Sequence, residues 1–220
     1  RILLEETWHA FENAGIPVTS LQGSTTSVMM GQCSFDYGII VKDSNSPFKT
    51  IGTIQASAAG RLSWFFDFHG SSVSVDTACA SSLVATSLAV DTLNSGECNL
   101  SICGGTQANL TSERFVNMCE MKALSPDGLC KTFDSSADGY SRGEGCGILI
   151  IAKEEYTEKP TINPIAEIKG MSVNHGGRST NYSSPNGPAQ TMVIQQALSN
   201  ADFRATEIQL VEAHGTGTAL

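Results

Sequence analysis

The chain has 220 residues, 40% hydrophobic and 16% charged, with a net charge of −9. That length holds one sizeable domain or two small ones, and the composition is that of a folded globular protein rather than a disordered one. The negative balance argues against a nucleic-acid face and offers no attraction to an anionic membrane, and no apolar run is long enough to span a bilayer.

Seven cysteines stand at 33, 79, 98, 103, 119, 130 and 146, an odd number at irregular spacing with no C-x-x-C pair. This points away from zinc and toward free thiols in a reducing, cytoplasmic compartment. The chain opens on Arg1-Ile2-Leu3-Leu4-Glu5 and stops just after His214-Gly215-Thr216-Gly217-Thr218. It therefore reads as a fragment of a longer protein, cut at both ends.

Residues 2–14 place Leu4, Trp8 and Phe11 at helical spacing, and Gly15 and Pro17 end the helix. Residues 26–30 read as an apolar strand, with Cys33 beyond it as core or loop filler. Residues 42–50, polar and holding Pro47, read as a surface loop, and 54–66 as a helix. Residues 72–75 alternate and read as a buried strand, followed by a helix over 81–93 with Gly96 just past its end. A second core strand spans 100–103, closed by Gly104-Gly105, and 113–122 is predicted helical. The loop over 125–144 is long enough to expect a functional or interface role. Gly143-Glu144-Gly145-Cys146-Gly147 resembles a nucleotide loop only superficially, because a strand follows it where a helix is needed. Arg142 and Glu144 read as an internal ion pair or as hydrogen-bond anchors. The charged, proline-bearing stretch 154–164 is the best boundary. After it come a strand over 165–173, a helix over 188–201 and a strand over 208–213, a repeat that favours a layered α/β fold.

Cys79 lies on the predicted strand-to-helix turn, the position at which α/β enzymes present a nucleophile. A free thiol is only roughly 3% ionised at neutral pH. A helix N-terminus offers a negative charge about 1 kcal/mol, so a base or cation is needed as well. The alternative is a small buried hydrophobe, as most free cysteines are. His214 ends a second apolar strand before a Gly/Thr loop, and a Cys and a His at strand ends make the pair that thiol chemistry uses. His69 precedes the strand that leads to Cys79, so that strand should carry the two to opposite ends.

Five motifs then occur in order: Asp76-Thr77-Ala78-Cys79-Ala80-Ser81-Ser82-Leu83, Leu124-Ser125-Pro126-Asp127-Gly128, Asp138-Gly139-Tyr140-Ser141-Arg142-Gly143-Glu144-Gly145, Pro185-Asn186-Gly187-Pro188-Ala189-Gln190 and Glu212-Ala213-His214-Gly215-Thr216-Gly217-Thr218. Together they resemble the β-ketoacyl synthase domain of polyketide synthases and of animal-type fatty acid synthases, end to end. The resemblance implies a thiolase-like layered fold of two related α/β halves. Residues 1–160 would belong to the first half and 161–220 would open the second.

It also implies decarboxylative Claisen condensation. An acyl chain moves from the phosphopantetheine of an acyl carrier protein to Cys79, and a malonyl-type extender then lengthens it. Cys79 is the implied nucleophile, with its backbone N–H in one oxyanion hole. His214 is the implied N–H donor at the extender's thioester oxygen, and a second histidine of the family lies outside this chain. Thr216 and Thr218 match positions that hydrogen-bond the pantetheine arm, although plain turn residues would look the same. No cofactor or metal is implied to bind directly, and the family works as a homodimer. Carrier proteins are acidic, so docking onto a chain of this charge needs a local basic patch drawn from Arg114, Lys122, Lys131 or Arg178.

In one departure, His175-Gly176 stands where relatives commonly carry Gln-Asp. Two rival readings are a thiol hydrolase or protease, whose Cys-Gly-Ser-Cys-Trp-like signature is missing, and a non-catalytic subunit, which would typically lack the cysteine.

Overall fold

Val28 and Met30 point to one side of the first strand and Met29 to the other, and all three are buried. A strand covered on both faces belongs in the middle of a layered α/β domain. The structure, a computed structural model, describes residues 1–33, 36–157, 162, 164–182 and 184–218. Its elements, in chain order, are α1 (Ile2–Ala14), β1 (Ser27–Gly31), α2 (Asp36–Ile40), α3 (Lys49–Thr53), α4 (Ser57–Phe66) and β2 (Ser72–Val75). There follow α5 (Ser81–Ser95), β3 (Leu100–Gln107), α6 (Glu113–Glu120), β4 (Gly145–Ala152), α7 (Glu154–Thr157) and α8 (Gly187–Asn200).

The sheet order is β2-β1-β3-β4, with β2, β1 and β3 parallel and β4 antiparallel to β3. One face carries α1 and α4: Phe11, Leu62 and Phe66 pack on Val28, Met30, Leu100 and Ile102. Phe11 meets Phe66 edge-on at 5.9 Å, and Phe66 stacks on Phe68 at 5.6 Å. Each such pair adds about 1 kcal/mol to what burial of the rings contributes. The other face carries α5, whose Ala85 and Ala89 lie on Met29 and Cys103. The polar residues between α5 and the sheet are paired: Ser27 Oγ donates to Ser101 Oγ at 2.6 Å and lies 3.2 Å from Thr92 Oγ1.

Helices α1, α5 and α6 fall where the sequence places them, α2 was not expected, and Gly96 ends α5 in the left-handed conformation at φ 80°. The helix expected from residue 54 begins at Ser57, and α3 starts inside the expected surface loop.

Three expectations are corrected. β2 is not buried: Ser72 and Val73 are exposed, because it is an edge strand with a neighbour on one side only. β3 does not close at Gly104-Gly105 but runs on to Gln107. Those glycines lie inside the ladder, where a Cβ on Gly104 would sit 2.0 Å from the carbonyl oxygen of Gly147 on β4. The segments 165–173 and 208–213 form no β-ladder. Each is irregular and hydrogen-bonded to no strand among the described residues, and Ile165, Leu210 and Val211 stand 85%, 82% and 76% exposed. Part of the expected boundary, residues 158–161 and 163, lies outside the described residues. Among those described, no helix is long and apolar enough to cross a membrane.

Candidate active site

β2 ends at Val75, and the chain enters α5 through one 3-10 turn, Ala78–Ala80. Asp76 Oδ1 accepts from the Ala78 N–H at 3.0 Å. The Ser81 hydroxyl accepts from the Thr77 N–H at 3.0 Å and donates to the Ala78 carbonyl at 2.6 Å. These bonds hold Ala78 at φ 52°. A left-handed residue with a Cβ costs about 1–2 kcal/mol, strain that recurs at functional turns. Cys79 follows it, exposed, at the mouth of α5. The α5 N-cap, Ala80, makes no side-chain capping bond, and the Ser81 N–H is taken by the Ala78 carbonyl, so the positive end of the helix dipole faces Cys79 without a side-chain cap.

What seats this turn is the absence of side chains beneath it. A Cβ on Gly31, the last residue of β1, would lie 2.5 Å from the backbone carbon of Ser81 and 2.5 Å from the Ser82 nitrogen. One on Gly105 would lie 3.0 Å from Ser82 Cβ. Gly31→Ala therefore pushes the start of α5 off the sheet. We expect a loss of about 2 kcal/mol, read as a lower urea midpoint at unchanged slope.

Cys33, read from sequence as filler, follows β1 at the same edge of the sheet. Burial pushes its thiol up, the Asp76 carboxylate adds to that, Arg114 opposes it, and Cys79 is close enough to contribute. The signal that could have found it is the rule applied to Cys79, that parallel strands deliver groups to their carboxyl ends. Burial also pushes Cys103 up to about 11 and raises Cys146, while Cys98 is buried. Three thiols are exposed, Cys79, Cys119 and Cys130, and of these Cys79 alone follows a strained strand-to-helix turn.

Beside this edge, Asp36 is buried with Arg114 Nε 3.0 Å from its Oδ1. Its Oδ2 accepts from the N–H groups of Leu110 at 3.0 Å and Thr111 at 3.3 Å. Asn109 is a hub: its Oδ1 accepts from Arg142 Nη2 at 2.7 Å, and its N–H donates to Glu144 Oε1 at 2.6 Å. Arg142 and Glu144 are thus hydrogen-bond anchors on a shared asparagine. The Arg142 guanidinium also lies 5.0 Å from the centre of the Phe115 ring.

His214 lies on an irregular segment that docks on the 125–144 loop. Thr132 Oγ1 donates to the Gly215 carbonyl, and the Gly139 N–H donates to the Gly217 carbonyl at 2.9 Å. Thr216 Oγ1 and Thr218 Oγ1 are 3.2 Å apart. Both line an open cleft of about 560 Å³ with Thr132, Phe133 and Asp134. Tyr140 pairs with Leu124, and the loop then enters β4 at Gly145, opposite Gln107 at the carboxyl end of β3. That is the end of the sheet at which β2 delivers Cys79. Cys79 and His214 themselves share no hydrogen bond.

The remaining histidines lie in other roles. His69 Nε2 lies 3.0 Å from Asp67 Oδ1, ahead of β2 and at the opposite end of it from Cys79. His9 lies 3.6 Å from Glu6 on α1. His175 Nδ1 accepts from the Gly177 N–H at 2.9 Å and stiffens its loop.

A layered α/β sheet that lifts an exposed cysteine on a strained strand-to-helix turn has the arrangement in which α/β enzymes present a nucleophile. Comparison with known proteins narrows this. The pattern described as "Beta-ketoacyl synthase, N-terminal domain" matches residues 1–156, and "Beta-ketoacyl synthase, C-terminal domain" matches residues 165–220. Over its whole length the chain is 43% identical to the polyketide synthase GfsA of Streptomyces halstedii and 42% identical to the mycoketide-CoA synthase of Mycobacterium tuberculosis. It covers 3% and 5% of those proteins. The ketosynthase from module 6 of the bacillaene synthase of Bacillus subtilis 168 superposes with a TM-score of 0.92 at 34% identity, over 99% of this chain and 37% of that one. The oxazolomycin ketosynthase domain OzmH KS7 of Streptomyces albus JA3453 gives a TM-score of 0.92 at 33% identity, over 99% of this chain and 39% of that one. The chain belongs to the β-ketoacyl synthase family and has its thiolase-like fold.

Proposed function

We propose that the chain carries the nucleophile half-site of a β-ketoacyl synthase in polyketide, or related fatty acid, biosynthesis. The observation that carries this reading is the Cys79 turn, exposed and strained at the mouth of an uncapped helix. The Cys79 sulfur attacks the acyl thioester of a carrier's phosphopantetheine, and the carrier thiol leaves with the proton. A malonyl-type thioester then loses carbon dioxide, and its enolate carbon attacks the Cys79 thioester. The new carbon–carbon bond leaves a β-ketoacyl chain on the carrier and expels the Cys79 sulfur as a thiolate, which takes a proton from water. His214 donates an N–H to the enolate oxygen, and Thr216 and Thr218 hold the pantetheine arm in the cleft they line. No step calls on a metal or a resident cofactor.

The partner is an acyl carrier domain. Of the four basic candidates for its docking patch, Arg114 is committed to Asp36, and Lys131 to Asp127 and Asp138. Lys122 and Arg178 remain, and we assign the carrier contact to them. A second copy of the protein would add at the open edge of β2.

The test uses the full-length protein, acyl-carrier thioester and malonyl-carrier. His214→Ala should lower condensation about 100- to 1,000-fold while leaving acylation of Cys79 in place, as loss of one oxyanion donor does elsewhere. Equal loss of both steps, or acyl groups scattered over several cysteines, overturns the assignment.

A further inference from the structure

Around Lys131 the 125–144 loop closes on itself. Lys131 Nζ lies 2.8 Å from Asp127 Oδ2 and 2.7 Å from Asp138 Oδ1. The buried Ser125 hydroxyl lies 2.6 Å from Asp127 Oδ1 and 2.8 Å from Asp138 Oδ1, and accepts from Lys131 at 3.4 Å. One cation and one hydroxyl thus join residues at both ends of the loop. The backbone drawn together is the part that grips the segment after His214. Thr132 holds the Gly215 carbonyl and Gly139 holds the Gly217 carbonyl. Packing there is tight, since a Cβ on Gly217 would lie 3.2 Å from the Lys131 nitrogen.

We propose that Lys131 is a positioning residue that, through Asp127, Asp138 and Ser125, clamps the 131–139 stretch onto Gly215 and Gly217 and so fixes His214 for the condensation step. This rests on the reading of His214 as the oxyanion donor. The cluster is built to stay charged. Its hydrogen bonds to Asp127 and Asp138 raise the Lys131 ammonium, and the Lys131 and Ser125 contacts lower Asp127 to about 2. With both carboxylates about half exposed, the pairs add little to overall stability. Its effect is on geometry, and misplacing a catalytic group by about 1 Å costs on the order of 100-fold in rate.

The experiment measures the two half-reactions separately in the full-length protein, at saturating carrier substrates so that weakened arm binding drops out. Lys131→Met should slow condensation about 30-fold. Single-turnover acylation of Cys79 should change less than about 3-fold, with the melting temperature nearly unchanged, and Lys131→Arg should restore most of the condensation rate. Thr132→Val, which removes only the donor to Gly215, should reproduce the split in milder form and serves if Lys131→Met does not fold. Parallel loss of both half-reactions with a lowered melting temperature marks a purely structural cluster and overturns the proposal. So does a Thr132→Val variant with full condensation activity. His214→Ala run alongside separates the two ideas. If it spares condensation, the reading of His214 fails. If it abolishes condensation while Lys131→Met does not, the clamp alone fails.

Discussion

Cys79→Ala in the full-length protein should abolish acyl loading, by on the order of 1,000-fold or more, with the fold intact. Incubation with acyl-carrier thioester, digestion and mass spectrometry of the cysteine peptides measures it. In the wild type the acyl mass belongs on the Cys79 peptide alone. The variant removes one exposed sulfur from a turn whose shape is set by Asp76, Ser81 and the Ala78 backbone, so nothing in the core repacks. The exposed Cys119 and Cys130 are internal controls. They are as open to solvent as Cys79 but lack its place at the mouth of α5. Acyl transfer to them at comparable rates would show that exposure, and not the turn, governs reactivity here.

Arg114→Met should cost about 3 kcal/mol of stability, seen as a fall in the urea midpoint. Asp36 is 1% exposed, and Oδ1 has Arg114 as its ion-pair partner and no hydrogen bond, so the variant strands a buried carboxylate. Arg114 is itself 30% exposed, and the water that reaches it holds the loss to the lower end of the range for broken buried pairs. Combining Arg114→Met with Asp36→Asn should recover part of the loss, because the amide oxygen still accepts from Leu110 and Thr111 while the charge is gone. A cost below about 1 kcal/mol for the single variant would show that water solvates Asp36 after all. Arg114 also donates to the Cys33 carbonyl at 3.4 Å, so the same change loosens the chain beside Cys79.

The elements legible in the sequence were those whose cause is local. Leu4, Trp8 and Phe11 at helical spacing, the glycine past α5 and the Asp76-Thr77-Ala78-Cys79 turn each state their conformation within a few residues. The errors lie where a distant neighbour decides. Ser72-Val73-Ser74-Val75 alternates like a half-buried strand, but only pairing order reveals that it is an edge. Gly104-Gly105 looks like a strand terminator until β4 is seen to pass within contact of it. The apolar stretch at 208–213 has strand composition without a ladder partner among the described residues. The surroundings of Cys33 and Lys131 are hidden from the sequence for the same reason. Lys131 stood as a candidate for an acidic partner, and only the folded loop shows its charge already spent on Asp127 and Asp138.

The seat of α5 has an evolutionary consequence. The start of α5, just past Cys79, rests on Gly31 and Gly105, so its height above the sheet is set there by backbone meeting backbone, while further along Ala85 and Ala89 lie on Met29 and Cys103. The loops at 109–112 and 125–144 hold their shape through hydrogen bonds within and between themselves, such as Asn109 to Glu144 and Ser125 to Asp138. Drift in those loops can remodel the surface around the sheet's carboxyl end while the Cys79 turn stays where it is. Innovation and inheritance thus occupy separate layers of one small scaffold.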